Sequence, residues 1–202
     1  MKTPYLILLV IGAAGFFVAV GWLVWSVYRP YGAIKTWPEI APRLGLTYTP
    51  FPVSTAMQPG SMAGIYAGSA VSIAAQNRFR RGTVMTVEVR FRHSLGCGLC
   101  IGSSGELREQ AEGALVEFST ADQDFDKVFR PRAREIGMAR GMFEDNSVRG
   151  ALLDLVKWDR NVGVDDEKLV YLAEDMVSDF AVMKELLDRV VQAARSIEEA
   201  RR

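Results

Sequence analysis

Between Tyr5 and Tyr28 the chain carries no charged residue, and Leu, Ile, Val, Phe and Ala dominate the stretch. At about 1.5 Å of rise per residue, the segment makes a helix of about 36 Å, enough to cross a hydrocarbon core of about 30 Å with some tilt. Lys2 bounds it on one side and Arg29 on the other. Trp22, Trp25, Tyr28 and Arg29 gather at the C-terminal boundary, where amphipathic rings and a cation suit the headgroup layer. Arg29-Pro30 then stops the helix. The apolar core of a cleaved signal peptide runs only about 7–15 residues, and no small-x-small cleavage site precedes a polar start. The expected organisation is therefore a tail over residues 1–4, a transmembrane helix over 5–28 and an extramembrane domain over 29–202. Arg29, Lys35 and Arg43 outweigh Lys2, which favours a cytoplasmic rather than periplasmic C-terminal domain.

The rest of the chain has the charge balance of an ordinary globular domain. The 24 Lys and Arg match 24 Asp and Glu, so no strongly basic face is set aside for nucleic acid. Two cysteines make no disulfide scaffold, and a single histidine excludes any site that needs two.

The patterning points to an α+β domain, an antiparallel sheet covered by helices. Thr36-Trp37-Pro38-Glu39 has the form of a capping box, opening a short helix that Gly45 ends. Gly60, Gly64 and Gly68 bracket a strand from Met62 to Tyr66, and Ala70 to Ala75 forms another. From Thr83 to Arg92, Met85, Val87, Val89 and Phe91 alternate with Thr86, Glu88, Arg90 and Arg92, a clean period of two. Leu99 to Gly102 reads as the next strand of a meander, and Phe129 to Ala133 pairs with the sheet. Asp145 or Asn146 caps a helix to about Trp158. Asp165-Asp166-Glu167 turns a hairpin between Val162–Val164 and Lys168–Leu172. The terminal helix spans about Asp175 to Ala200, with Met176, Phe180, Met183, Leu187, Val190, Ala194 and Ile197 in steps of four and three. Such a stripe covers the protein's own sheet or, alternatively, supports self-association. The charged tip beyond Arg189 is expected to project into water.

Three constellations could carry chemistry. His93, Cys97 and Cys100 have spacing that could share a metal ion, or the two thiols could form a redox pair or local disulfide. Asp122, Asp124 and Asp126 imitate half of a Ca²⁺ loop, but Lys127 and Ala133 stand where Gly and Glu are required, leaving a solvated acidic loop. Arg78, Arg80, Arg81, Arg90 and Arg92 gather on one expected hairpin, able to meet anionic lipid headgroups or to pair with the acidic segment from Glu106 to Asp126. No phosphate loop, dinucleotide fingerprint, nucleophile elbow or paired-carboxylate motif is present.

Trp37 with Leu44-Gly45-Leu46, the spaced glycines, Phe125-Asp126-x-x-Phe129 and the Val162–Leu172 hairpin before a terminal helix together resemble a group of bacterial single-pass membrane-anchored proteins with an α+β domain. No reaction is assigned to that group. The resemblance implies a module tethered to the bacterial inner membrane. The expected function is that of a non-enzymatic accessory or scaffold protein with no cofactor, whose partners are the lipid bilayer and other membrane proteins. The alternatives are a metal- or thiol-dependent site at His93, Cys97 and Cys100, or an anionic-lipid module using the arginine hairpin.

Overall fold

A computed structural model of the chain describes residues 15–18, 20–21, 32–51, 60–78, 82–104, 115–158 and 161–201. Most of the expected transmembrane segment, with Trp22, Trp25, Tyr28 and Arg29, lies outside them. The residues of it that are described are helical. Among the described residues no helix is long and apolar enough to cross a membrane.

Residues 32–43 form helix α1. The chain then runs through β1 (Leu46–Thr49), β2 (Ser61–Tyr66), β3 (Ser69–Arg78), β4 (Gly82–Arg90), β5 (Cys100–Gly102), β6 (Val116–Glu117), α2 (Gln123–Phe129) and β7 (Arg132–Ala133). It continues through α3 (Ile136–Glu144), α4 (Asn146–Trp158), β8 (Val162–Asp165), β9 (Lys168–Ala173) and α5 (Phe180–Ala200). The described strands form a nine-stranded antiparallel sheet in the order β1-β2-β3-β4-β9-β8-β5-β7-β6. The expected α+β class is therefore observed.

One strand stands elsewhere than expected. β5 is not the neighbour of β4; the β8–β9 hairpin lies between them, with β9 on β4 and β8 on β5. A period-two pattern fixes which face of a strand is buried, but carries no information about its neighbour.

The alternation in β4 has the expected result. Met85, Val87 and Val89 are fully buried, while Glu88 on the opposite face reaches Lys168 of β9 at 3.0 Å. Between β2 and β3 the turn residues Ala67 and Gly68 both have positive φ, as a two-residue type I′ hairpin requires. Gly60 answers a closer constraint, since a Cβ there would stand 1.9 Å from the Thr49 carbonyl oxygen.

Helix α5 begins at Phe180, five residues later than the pattern alone indicates, because the Asp179 carboxylate caps it through Ala181 N at 2.8 Å and Val182 N at 3.0 Å. Its stripe lies in the chain's own core: Met183, Leu187, Val190, Ala194 and Ile197 are buried, flanked by buried Leu186, Val191 and Ala193. The distal part of the helix packs rather than projecting into water, and the Glu198 carboxylate accepts from Arg92 N at 2.5 Å. The Tyr66 hydroxyl donates to Asp188 Oδ1 at 2.6 Å, tying β2 to the same helix.

The acidic segment runs into a short helix, α2, and a second short helix, α3, follows β7. Asp122 caps α2, accepting from Asp124 N and Phe125 N, and Asp126 accepts from the Thr120 amide and hydroxyl and from the Ser119 hydroxyl. Two of the three carboxylates that imitate a Ca²⁺ loop, Asp122 and Asp126, are thus engaged by backbone and hydroxyl neighbours, and Asp124 meets Lys127 Nζ at 3.4 Å. Phe125 and Phe129 are fully buried, with ring centroids 4.6 Å apart.

Helix α1 is held by Trp37. Its side chain is fully buried, and its indole N–H donates to the Val177 carbonyl at 2.8 Å. The Arg43 guanidinium stacks 3.7 Å from the centroid of Phe180 at the start of α5. Trp37→Ala is expected to destabilise the fold by about 3–5 kcal/mol, the range for an emptied large aromatic site. Trp37→Phe, which chiefly leaves the Val177 carbonyl unpaired, is expected to cost about 1 kcal/mol. Chemical denaturation of the full chain in detergent checks both; equal stability of Trp37→Ala and the parent would contradict the clamp.

Candidate functional site

Strand register divides the described surface into two ends. Arg78 pairs with Gly82 where β3 meets β4, and Ala173, the last residue of β9, pairs with Met85 close by. From Ala173 the chain enters segment 174–179, against which α1 is seated. A Cβ built on Gly32 would lie 3.5 Å from the Ser178 Cβ. We call this the root end. At the opposite, far end Arg90 pairs with both Ala70 and Lys168, and the β2–β3 turn, the β8–β9 turn and loop 91–99 come together.

The five arginines considered as one patch are separated by this register. Arg78 is at the root end, whereas Arg90 and Arg92 are at the far end; eight residues of strand, about 26 Å, separate Gly82 from Arg90. Arg80 and Arg81 lie outside the described residues. Glu88, on the face of β4 that carries Arg90, pairs with Lys168 rather than with an arginine.

The far-end loop is built around Asp166. Its Oδ2 accepts from Gly98 N and its Oδ1 from Leu99 N, each at 2.8 Å, while its backbone carbonyl accepts from Leu95 N at 2.8 Å. The Cys97 carbonyl in turn accepts from Arg134 N and Glu135 N at 3.0 and 2.9 Å. Gly98 has φ +65, and a Cβ there would meet the Arg134 Cβ at 2.7 Å. No other residue type fits that position unstrained.

Cys97 and Cys100 are both free and buried. The Cys97 thiol lies 3.7 Å from Asp166 Oδ1, and burial followed by the charge of Asp166 pushes its pKa up to about 11. At neutral pH it is a protonated, packed thiol, the opposite of an activated nucleophile. Arg132 Nη2 donates to the Cys100 sulfur at 3.8 Å. His93 is exposed, and among the described residues no group of three His, Cys, Asp or Glu side chains could hold a metal ion. Proximity in sequence does not bring His93, Cys97 and Cys100 into one coordination sphere.

Among the described residues, grooves open at both ends of the sheet. At the far end Arg92, His93, Arg195, Glu198, Glu199 and Arg201 line an open polar groove of about 590 Å³. Arg92 is fixed there twice, its amide to Glu198 and its Nη2 to the Gly68 carbonyl at 3.1 Å. Of these residues, only Arg92 and His93 belong to the sets singled out by spacing; helix α5 brings in the others. At the root end a second groove, of about 330 Å³, is lined by Tyr171, Ala173, Val177 and Leu186, with Trp158 and Val182 at its exposed margin and Glu174 and Asp175 on its rim. The Arg189 guanidinium lies over the Trp158 ring, 4.7 Å from its centroid. Sequence reading passed over this groove, because Trp158 and Val182 occupy unremarkable helical positions.

No protein-family model and no curated protein sequence matches the chain. A solved structure, the crystal structure of the mycobacterial trehalose monomycolate transport factor A, TtfA, is similar to it with a TM-score of 0.55 and 13% identity, covering 82% of this chain and 94% of that one. At that identity the likeness is one of fold.

Two outcomes follow from the Asp166 loop. A thiol at about 11 in the fold against 9.0 as its ordinary value contributes stability that is complete below about pH 9 and lost as pH rises through about 11. The thermal midpoint of Cys97→Ala should therefore fall less between pH 9 and 11 than that of the parent; parallel curves would contradict the burial of a protonated thiol. Gly98→Ala should lower the urea midpoint by the equivalent of about 1–3 kcal/mol, and an unchanged midpoint would contradict the left-handed turn.

Proposed function

We propose that the chain is a non-enzymatic accessory factor in lipid transport, anchored by a single N-terminal span in the bacterial inner membrane. Its α+β domain faces the cytoplasm and attends a membrane protein complex. The observation that carries this reading is the Trp37 clamp. The uncharged segment from Tyr5 to Tyr28 leads into α1, and α1 is fastened to the domain by a buried indole hydrogen-bonded to the Val177 carbonyl. The fastened helix begins only a few residues beyond the end of that segment, so the chain length alone keeps the domain near the bilayer surface, which suits a part of a membrane assembly. The fold likeness to a transport factor, extending over most of both chains, supports the assignment to lipid transport. The far-end groove, lined by arginine, histidine and glutamate, is suited to polar contacts with a partner on the side away from the tether.

Membrane fractionation of the full chain tests the anchor. The protein should stay with the pellet after alkaline carbonate washing and be released by detergent. Cross-linking before solubilisation, followed by mass spectrometry, should recover other inner-membrane proteins with it. Release by carbonate, or recovery of the chain without membrane partners, would contradict the reading.

A further inference from the structure

The groove at the root end combines an amphipathic margin with closeness to the start of α1. Only three residues stand between Tyr28, where the apolar segment ends, and Gly32, and the four Cα–Cα steps span at most about 15 Å. Gly32 sits beside Ser178, and Val177, the next residue, both anchors Trp37 through its carbonyl and lines the groove. The covalent chain therefore keeps this groove close to wherever the apolar segment leaves the bilayer.

Its margin is amphipathic in the manner of a membrane interface. Trp158 is 42% exposed and Val182 is 44% exposed, large apolar side chains beside the apolar lining of Tyr171, Ala173, Val177 and Leu186. A cation stacks on an aromatic ring at this margin, Arg189 on Trp158, as Arg43 does on Phe180 between α1 and the start of α5. An indole with a guanidinium over its face offers apolar area towards acyl chains, and the guanidinium N–H groups not turned to Glu185 offer donors towards a phosphate. Arg189, which stands over Trp158 while its Nη2 donates to Glu185 at 2.8 Å, and the carboxylates of Glu174 and Asp175 on the rim give both signs of charge, which suits a zwitterionic headgroup better than a uniformly anionic surface.

We propose that this groove lies at the bilayer surface and takes up a zwitterionic phospholipid, with Trp158 and Val182 against the acyl–glycerol region and Arg189 at the phosphate. The proposal rests on the membrane-anchored reading and adds to it the face of the domain that touches lipid.

The test uses the full chain in phosphatidylcholine vesicles containing a trace of radiolabelled phosphatidylcholine. The photoreactive residue benzoylphenylalanine replaces either Val182, in the groove, or Met138, which is 52% exposed on α3. The residue before that helix, Glu135, is bonded to the Cys97 carbonyl of the far-end loop. Both positions are on the surface, so neither change disturbs the core. After irradiation the Val182 variant should carry at least fivefold more radiolabelled lipid than the Met138 variant, and adding Trp158→Ala should reduce its adduct at least threefold. Flotation of each sample on a density gradient reads the anchor separately. Equal labelling at the two positions, or labelling indifferent to Trp158, in chains that float would overturn the lipid groove while leaving the anchor standing. Chains that do not float would overturn both.

Discussion

Strand β9 runs down the middle of the sheet, bonded to β4 on one side and to β8 on the other, and the arrangement of the surface depends on that placement. Because β9 is flanked on both sides, its ends are fixed relative to every other strand. Its beginning, at Lys168, carries the Asp166 turn that organises the thiol loop. Its end, at Ala173, delivers the segment on which the Trp37 helix sits. Antiparallel pairing then sorts the loops into two groups by direction alone. The start of α1, at Gly32, falls in one group, and the arginine–histidine groove falls in the other.

The parts of this architecture that were legible in the sequence are those governed by local periodicity and turns, whereas the Thr36 capping box was not borne out, since Thr36 lies inside α1 with its hydroxyl donating to the Gly32 carbonyl at 3.1 Å. The alternation from Met85 to Phe91, the acidic turn between Val162 and Leu172 and the start of α4 at Asn146 all state their structure within a few residues. What was not legible depends on contacts distant in sequence. Nothing near Cys100 says that its strand pairs with Asp165 rather than with β4. Asp166 reads as a turn residue, and its role in holding the amides of Gly98 and Leu99 appears only when the hairpin is brought beside loop 91–99. Helix α2 was obscured because Asp122, Asp124 and Asp126 look like ligands, whereas Asp122 and Asp126 act on neighbouring backbone and hydroxyl groups.

The candidate site changed character for the same reason. His93, Cys97 and Cys100 were the chemically suggestive residues, yet the fold turns His93 outward and packs both thiols, one of them beside a carboxylate that opposes its ionisation. The loop is thereby a structural element that shapes the far end. The arginines, expected together, stand at opposite ends of a strand. The surfaces most suited to binding are instead the two grooves, one polar and remote from Gly32, the other apolar and adjacent to it. On the proposed reading, one end is the one to meet lipid and the other to meet a partner.

The central claim is this polarity relative to the bilayer, and depth measurement by electron spin resonance tests it most directly. Nitroxide labels would be placed singly at Ser178 and at His93 of the full chain in phosphatidylcholine vesicles, with Cys97 and Cys100 replaced by alanine. The Ser178 label should relax strongly with oxygen dissolved in the lipid, while the His93 label, roughly 20 Å farther along the strands, should respond only to a nickel complex in the water. Equal depths for the two labels, or a deeper His93, would contradict the account.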